Sequence, residues 1–118
     1  MATYSRVLLS GSTNGREIPV AAIATPGTLV HAAVAGTSSF DEIYLWVANV
    51  TGAPATLTLE WGGVLNPADL SVSAYSIPAN SGRILLVSGE VLNNALVVRA
   101  FSGTASALNI GGYVNRIV

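Results

Sequence analysis

A chain of 118 residues has the size of one ordinary domain and can bury about two-thirds of the surface that its unfolded form exposes. Its composition is unusual, because 51% of the residues are apolar and only 9% are charged, against about 25% in an average soluble protein. Five arginines, no lysine and a net charge of −1 give no basic stripe, which argues against nucleic acid as a partner. The absence of cysteine excludes disulfides, thiolate nucleophiles and cysteine-based metal sites.

Turn signals recur about every 8 to 12 residues, which is the spacing typical of a β-sandwich or barrel. The runs between them are rich in β-branched and aromatic residues, and we predict that nine of them are strands. In chain order they are YSRVLLS, EIPVAAIA, TLVHAAVA, DEIYLWVANV, ATLTLEW, LSVSAYSI, RILLVS, NALVVRAF and ALNIGGYVNRIV. No window sustains the apolar stripe of a helix. The prediction is a single all-β domain over residues 1–118, a two-sheet sandwich of jelly-roll or Greek-key type with eight or nine strands.

The start of the chain allows two interpretations. Residues 1–15 are polar and contain glycine, so they form either an N-terminal arm that packs on another chain or an ordinary edge strand. Their apolar run is too short for a secretory signal. The uncharged residues 18–40 contain Pro19 and the pair Pro26–Gly27, so they lack the roughly 20 continuous helical residues of a membrane span. We therefore expect a protein made in the cytoplasm that does not bind a membrane.

The strand DEIYLWVANV, residues 41–50, is apolar on both faces. Alternation puts Ile43 and Leu45 on one face and Tyr44 and Trp46 on the other. A small domain normally leaves one face of such a strand in water. Either a symmetry-related copy covers the second face, or the strand crosses between the two sheets at a corner and is covered within one chain.

Three other local patterns lead to predictions. In ATLTLEW, alternation puts Leu57, Leu59 and Trp61 on the buried face and Thr56, Thr58 and Glu60 on the solvated face. The sequence SGE at residues 88–90 is predicted to be a turn. The doublets Gly62–Gly63 and Gly111–Gly112 are predicted to be turns or bulges.

Few residues in this chain could perform catalysis. His31 is the only histidine, and its alternation with apolar neighbours favours a structural or surface role over a general base. Asp41 and Glu42 are adjacent, so in a strand they point to opposite faces and cannot act as a glycosidase pair. The sequence contains no nucleophile elbow and no phosphate-binding loop with its lysine. We predict that the chain is not an enzyme and uses no metal or cofactor. The alternative is a hydrolase, which would need a site centred on His31 or two convergent carboxylates from among Glu60, Asp69 and Glu90.

The remaining candidates are contact residues of the types that are enriched at interface hot spots. For each of them alone, core packing or an ordinary surface position is favoured over an interface role, and only the set as a whole indicates an interface. The candidate interface residues are Tyr4, Arg6, Tyr44, Trp46, Trp61, Arg83, Arg99, Tyr113 and Arg116.

Segments from nearly the whole chain resemble small virion proteins of tailed bacteriophages, including cyanophages. The most specific of them are LEWGG, NNALVVRAF and the terminal YVNRI, and the similarity extends through TYSRVLLSGSTNGREI and TSSFDEIYLWVANV. The resemblance implies a capsid decoration, or cement, protein: a compact β-sandwich, often trimeric, that binds the outside of the head and clamps neighbouring major-capsid subunits.

The expected partners are therefore other copies of this chain and the major capsid protein, and the expected location is the exterior of the virion. Related phage sandwiches also serve as head fibres, tail components or receptor-binding modules. A receptor- or glycan-binding module is the alternative function, and it predicts an exposed aromatic side chain such as Trp61 at a loop.

Overall fold

The computed structural model describes residues 2–118 and shows, over that range, nine strands in two antiparallel sheets. The strands are β1 (Tyr4–Val7), β2 (Ile18–Pro19), β3 (Thr28–Ala32), β4 (Phe40–Asn49), β5 (Ala55–Trp61), β6 (Leu70–Ile77), β7 (Ile84–Leu92), β8 (Val97–Ser102) and β9 (Leu108–Ile117). Each of them overlaps one of the nine predicted runs, so the predicted all-β sandwich class is confirmed. Within residues 2–118, no helix is long and apolar enough to span a membrane.

The strand pairing is nested. Sheet A has the order β1-β9-β4-β7, with β2 also paired to β9, and sheet B has the order β3-β8-β5-β6. From the inside outwards, β5 pairs with β6, β4 with β7, β3 with β8 and β2 with β9. Successive pairs alternate between the two sheets, so the chain resembles one long hairpin that is rolled up on itself. The last strand, β9, consequently lies inside sheet A between the first strands and β4.

The core lies between the inner faces of the two sheets. Along β4 the burial alternates strictly, because successive side chains in a strand point to opposite faces. Ile43, Leu45 and Val47 are fully buried, whereas the side chains between them are half-buried. Each such buried aliphatic side chain contributes roughly 1.5–3 kcal/mol relative to exposure. The largest fully buried apolar side chains on the other strands are Leu57, Leu59, Ile77, Leu108 and Ile110.

Strand β4 stays in sheet A over its whole length. It pairs with β9 from Phe40, opposite Ile117, to Asn49, opposite Leu108, with no shift of register. The hypothesis that this strand crosses between the sheets at a corner is therefore wrong. Its second face, with Tyr44 and Trp46, is the outer face of sheet A.

Two glycine predictions were wrong. The predicted turn at residues 88–90 lies inside β7, where Ile43 pairs with Glu90 and Tyr44 pairs with Ser88. Gly89, at φ 81°, is the extra residue of a β-bulge, because a bulge requires the same positive φ as many turns. The doublet Gly111–Gly112 lies inside β9, and its pairing with β4 is continuous, so it is neither a turn nor a bulge there.

The predicted solvated face of β5 is buried at two positions. Thr58 is 6% exposed and Glu60 is 1% exposed. The loop between β2 and β3 folds over this face, and the carboxylate of Glu60 accepts hydrogen bonds from Thr25 Oγ1 at 2.6 Å and from the Gly27 N–H at 2.7 Å. Alternation predicts which face a side chain is on, but it cannot predict that a distant loop covers that face.

The described part of residues 1–15 packs on its own chain. Strand β1 pairs with β9 as an edge strand of sheet A, and Leu9 is buried in the core. The Gly11 N–H then donates to the carbonyl of Val30 on β3 at 2.9 Å. This segment therefore covers the edge strand of sheet B on that side of the sandwich.

Candidate functional site

The outer face of sheet A carries a set of aromatic side chains. Tyr44 on β4 pairs with Tyr113 on β9, and Trp46, two residues further along β4, pairs with Gly111. Residues paired across antiparallel strands share a face, so these three aromatic side chains lie side by side on the solvent side of the sheet. We call Tyr44, Trp46 and Tyr113, together with the arginines that lie over them, the aromatic face.

The two tyrosines of the aromatic face are stacked. Their ring centroids are 4.8 Å apart and the ring planes meet at 14°. Aromatic pairs of this kind contribute about 0.5–1.5 kcal/mol beyond the area that they bury. The stacking favours one orientation of each ring, so this part of the surface is partly pre-organised before any partner binds.

Two arginines lie over the rings. The guanidinium carbon of Arg6 is 4.8 Å from the ring centroid of Tyr113, and that of Arg83 is 4.9 Å from the ring of Trp46. Arg6 lies on β1 and Arg83 immediately precedes β7, so the two cations approach from the two edges of sheet A. At exposed sites, each such contact is worth about 0.5–1 kcal/mol.

The ring of Trp46 occupies space that a side chain on β9 would otherwise fill. A Cβ atom at position 111 would overlap the indole nitrogen of Trp46 and the carboxylate of Glu17. A larger residue at position 111 would therefore displace the Glu17 carboxylate and the Trp46 ring from their present positions. The indole N–H of Trp46 is buried without a hydrogen-bond acceptor among the described residues.

Exposed apolar side chains surround the aromatic face. Tyr4 is 70% exposed, Leu85 is 64% exposed and Val91 is 51% exposed. By register all three lie on the outer side of sheet A, opposite Ile117, Trp46 and Glu42 respectively. Leu85 and Val91 were not among the predicted interface residues, because an aliphatic residue in a strand does not by itself indicate an interface. Together with the rings they make an apolar surface that is open to solvent.

Six of the nine sequence-based candidates lie on this outer face: Tyr4, Arg6, Tyr44, Trp46, Arg83 and Tyr113. The other three lie elsewhere. Trp61 packs half-buried against the core, and Arg99 on sheet B donates from Nη1 to the carbonyl of Gly27 at 3.3 Å. Arg116 is bound to Asp41. The predicted interface role of all nine stays a prediction.

Sequence reasoning missed a buried polar network that connects the two sheets. The carboxylate of Asp41, which is 0% exposed, accepts hydrogen bonds from Arg116 Nε at 2.8 Å and Arg116 Nη2 at 3.0 Å. It also accepts from the Val34 N–H at 3.1 Å and contacts His31 Nε2 at 2.7 Å. His31 Nδ1 accepts from the Ser10 N–H, so the proton of the neutral imidazole is on Nε2 and points to Asp41.

This network has the residue types of a Ser-His-Asp triad but not its geometry. Ser10 uses its main-chain N–H toward His31, while its hydroxyl oxygen accepts from the Ala32 N–H at 2.6 Å. The side chain of His31 is 1% exposed. In a triad, the serine hydroxyl must hydrogen-bond to the imidazole and reach the substrate, and the Ser10 hydroxyl does not bond to His31. The hydrogen bonds of His31, Asp41 and Arg116 instead join β3, β4 and β9. The prediction that the chain is not an enzyme stays a prediction.

Two pKa values are displaced within the network. Burial raises the pKa of Asp41, but the hydrogen bonds from Arg116 and His31 outweigh burial, so the pKa lies below its ordinary value of 3.8. The same ion pair raises the pKa of Arg116 above its ordinary value, against the smaller effect of burial. The sequence held a signal for this network, because alternation puts Asp41 on the same face as Ile43, and a buried carboxylate requires partners.

The comparisons with known proteins give no relative. No family model, curated protein or solved structure matches this chain. Among residues 2–118, no group of three or more histidine or acidic side chains is placed to hold a metal ion.

Proposed function

We propose that this chain is a structural virion protein that binds the outer surface of a phage capsid and clamps neighbouring major-capsid subunits. The sequence resemblance to small virion proteins supplies the type of particle. The observation that carries the proposal is the aromatic face, a surface of stacked rings bordered by the exposed side chains of Tyr4, Leu85 and Val91. Interface centres are enriched in these residue types.

The physical role of such a protein is to stabilise the assembled state. A protein that bridges capsomers binds the shell and not its separated subunits, so its binding free energy is added to the stability of the shell alone. Many copies act together, and a modest interface for each copy is therefore sufficient. A surface of serine, threonine and asparagine with few charges also loses little hydration free energy when it is covered.

We also infer that the connectivity is of jelly-roll type. The four nested strand pairs alternate between the sheets, which fits two interlocked Greek keys. This arrangement puts the edge strands β6 and β7 on one side of the sandwich and the edge strands β1, β2 and β3 on the other, where residues 9–12 cover β3.

The open side between β6 and β7 is where we propose that copies of this chain meet as a homotrimer. A groove of about 400 Å³ runs there between the two sheets, and its lining residues include Tyr75, Leu85 and Ile84. Charged residues and proline usually prevent edge strands from associating. Strand β6 contains neither, so its edge is open to pairing with another copy.

The alternative function, a receptor- or glycan-binding module, has less support. It predicts an exposed aromatic side chain such as Trp61 at a loop, and Trp61 is half-buried against the core. On the aromatic face, Arg6 and Arg83 each lie over a ring that a sugar would use for stacking.

The first experiment combines light scattering on the purified chain with sedimentation after mixing with undecorated phage heads. A trimer that sediments with the heads is the expected result. A monomer that stays in the supernatant would contradict the proposal and favour a tail or receptor-binding role.

A matched pair of variants locates the docking surface. Val91→Asp puts a charge on the outer face of sheet A, where the side chain is 51% exposed, and we expect head binding to weaken about tenfold or more. Ile23→Asp is the control, because Ile23 is 64% exposed and lies in the loop that covers sheet B. Equal head binding by the two variants would show that the aromatic face is not the docking surface.

A further inference from the structure

Of the five arginines of the chain, Arg16 is exposed in the loop before β2, and the other four fall into two classes. Arg116 is held by the Asp41 carboxylate, and Arg99 donates to a main-chain carbonyl. Arg6 and Arg83 are exposed, and neither forms an ion pair or a side-chain hydrogen bond within residues 2–118. Both belong to the aromatic face, and each is positioned by the ring beneath it.

A guanidinium that lies over a ring keeps its hydrogen-bonding capacity. The ring contacts one flat side of the group, while the five N–H donors point outwards in the plane of the guanidinium. Stacking also reduces the number of conformations of the arginine side chain, so less entropy is lost when an anion binds. Arg6 and Arg83 are therefore pre-oriented donors that have no side-chain acceptor in the part of the chain that the structure describes.

The position of the two arginines indicates the shape of what they bind. They lie at opposite ends of the set of rings, since Arg6 covers Tyr113 and Arg83 covers Trp46. Glu42 is on the same outer face, opposite Asn115, and Glu17 reaches the backbone of Gly111, but neither is within ion-pair distance of an arginine. The face thus presents a guanidinium at each end of a row of aromatic rings, with the carboxylates of Glu42 and Glu17 nearby but not paired to either arginine.

Carboxylates of a protein are the anions that fit this face best. A carboxylate accepts two parallel hydrogen bonds from one guanidinium, and the aromatic centre matches apolar side chains between two acidic ones. A nucleic-acid backbone would require a continuous basic surface, whereas this chain has a net charge of −1.

We propose that Arg6 and Arg83 each bind a carboxylate group of the partner protein, so that the partner's docking patch has an apolar centre between two acidic side chains. This inference rests on the proposed function for the identity of the partner, the capsid surface. It adds the chemistry by which that partner is recognised.

The test uses undecorated phage heads in two forms, untreated and with surface carboxylates converted to amides by carbodiimide and glycinamide. We expect Arg6→Gln and Arg83→Gln each to weaken binding to untreated heads about tenfold, and amidation of the heads to weaken binding of the unmodified protein at least as much. Arg6→Lys and Arg83→Lys should recover only part of the affinity, because lysine keeps the charge but loses the paired hydrogen bonds.

Arg16→Gln is the control, since Arg16 is an exposed arginine in a loop. Its substitution should leave binding to the heads unchanged.

A second measurement separates this inference from the proposed function. Glutarate, a small dicarboxylate, is titrated into the isotope-labelled protein while the Nε–H signals of the arginines are followed by NMR, with sodium chloride at equal ionic strength as the reference. We expect the signals of Arg6 and Arg83 to shift with glutarate and that of Arg16 to stay unchanged.

Unshifted Arg6 and Arg83 signals would overturn the inference whether or not the protein binds heads. The inference would also be overturned if Arg6→Gln and Arg83→Gln bound heads as tightly as the unmodified protein does. Failure of the unmodified protein to bind heads, with the glutarate shifts present, would overturn the capsid as the partner and retain the carboxylate site.

Discussion

Asp41→Asn is expected to lower the free energy of unfolding by about 3–5 kcal/mol, the cost of removing one partner from a buried ion pair. The Asp41 carboxylate accepts from Arg116, His31 and the Val34 N–H, and all of these are donors. An asparagine has the same shape, but its NH₂ group must face at least one of these donors. Denaturant unfolding at pH 7 measures the change.

Glu42→Gln is the matched control for this substitution. Glu42 is the next residue on β4, but it points to the outer face and forms no ion pair within residues 2–118. We expect Glu42→Gln to change the free energy of unfolding by no more than about 0.5 kcal/mol. If Asp41→Asn and Glu42→Gln lowered the free energy of unfolding equally, the buried network would not stabilise the fold.

The lowered pKa of Asp41 also predicts how the effect of Asp41→Asn on stability changes with pH. Since the pKa of Asp41 is below 3.8 in the folded protein, the unfolded chain takes up a proton on this group at a higher pH than the folded chain does. The stability that the carboxylate supplies is therefore fully present above its ordinary pKa and is lost as the pH falls through the lower, folded-state value. The difference in unfolding free energy between the unmodified protein and Asp41→Asn should shrink over that window. A difference that is constant from pH 6 to pH 2 would be inconsistent with the lowered pKa.

Gly112→Ala is expected to cost about 3 kcal/mol or more, or to prevent folding. A Cβ at this position would overlap the carbonyl oxygen of Tyr44 on the neighbouring strand, and the residue has a φ of 155°. Overpacking is costly when the obstacle is backbone, because backbone in the middle of a sheet cannot move without breaking its ladder. Thermal unfolding, or the soluble yield if the variant does not fold, measures the effect.

Gly52→Ala is the appropriate comparison. Gly52 lies in the turn between β4 and β5, and a Cβ there would meet no atom of residues 2–118 within 4 Å other than those of its chain neighbours. Its substitution should change the unfolding free energy by less than about 1 kcal/mol in either direction. If both alanine variants unfold at the same temperature, the close approach of β9 to β4 at Gly112 does not constrain the sequence.

The strands could be predicted because turn residues and the alternation of apolar and polar side chains are both visible within a short stretch of sequence. Turn residues divide the chain into runs, and alternation within DEIYLWVANV correctly separates Ile43 and Leu45 from Tyr44 and Trp46. Alternation also correctly put Asp41 and Glu42 on opposite faces. Gly89 was mistaken for a turn because positive φ is required in both turns and bulges, and only the partner strand distinguishes them.

The composition of the aromatic face was only partly predictable. Its residue types were visible in the sequence, but the stacking of Tyr44 on Tyr113 joins residues 69 positions apart and depends on β9 pairing with β4. The same limit applies to Glu60, whose burial depends on a loop more than 30 residues earlier. Pairing between distant segments is decided by the whole set of strands, and a single sequence gives no direct measure of it.

The nested pairing of the strands also determines the order in which this chain can assemble. The two strands of the β5–β6 hairpin are separated by a short loop, so this hairpin closes at the lowest loss of chain entropy, and each outer pair must close a longer loop. A topology with so many distant pairs is expected to fold on the slower timescale of milliseconds to seconds. Strand β9 is synthesised after β1 to β8, yet it lies inside sheet A between β1 and β4. Until β9 has been synthesised, β4 therefore has an unpaired edge beside Trp46, and only a chain that includes β9 can protect this edge from aggregation.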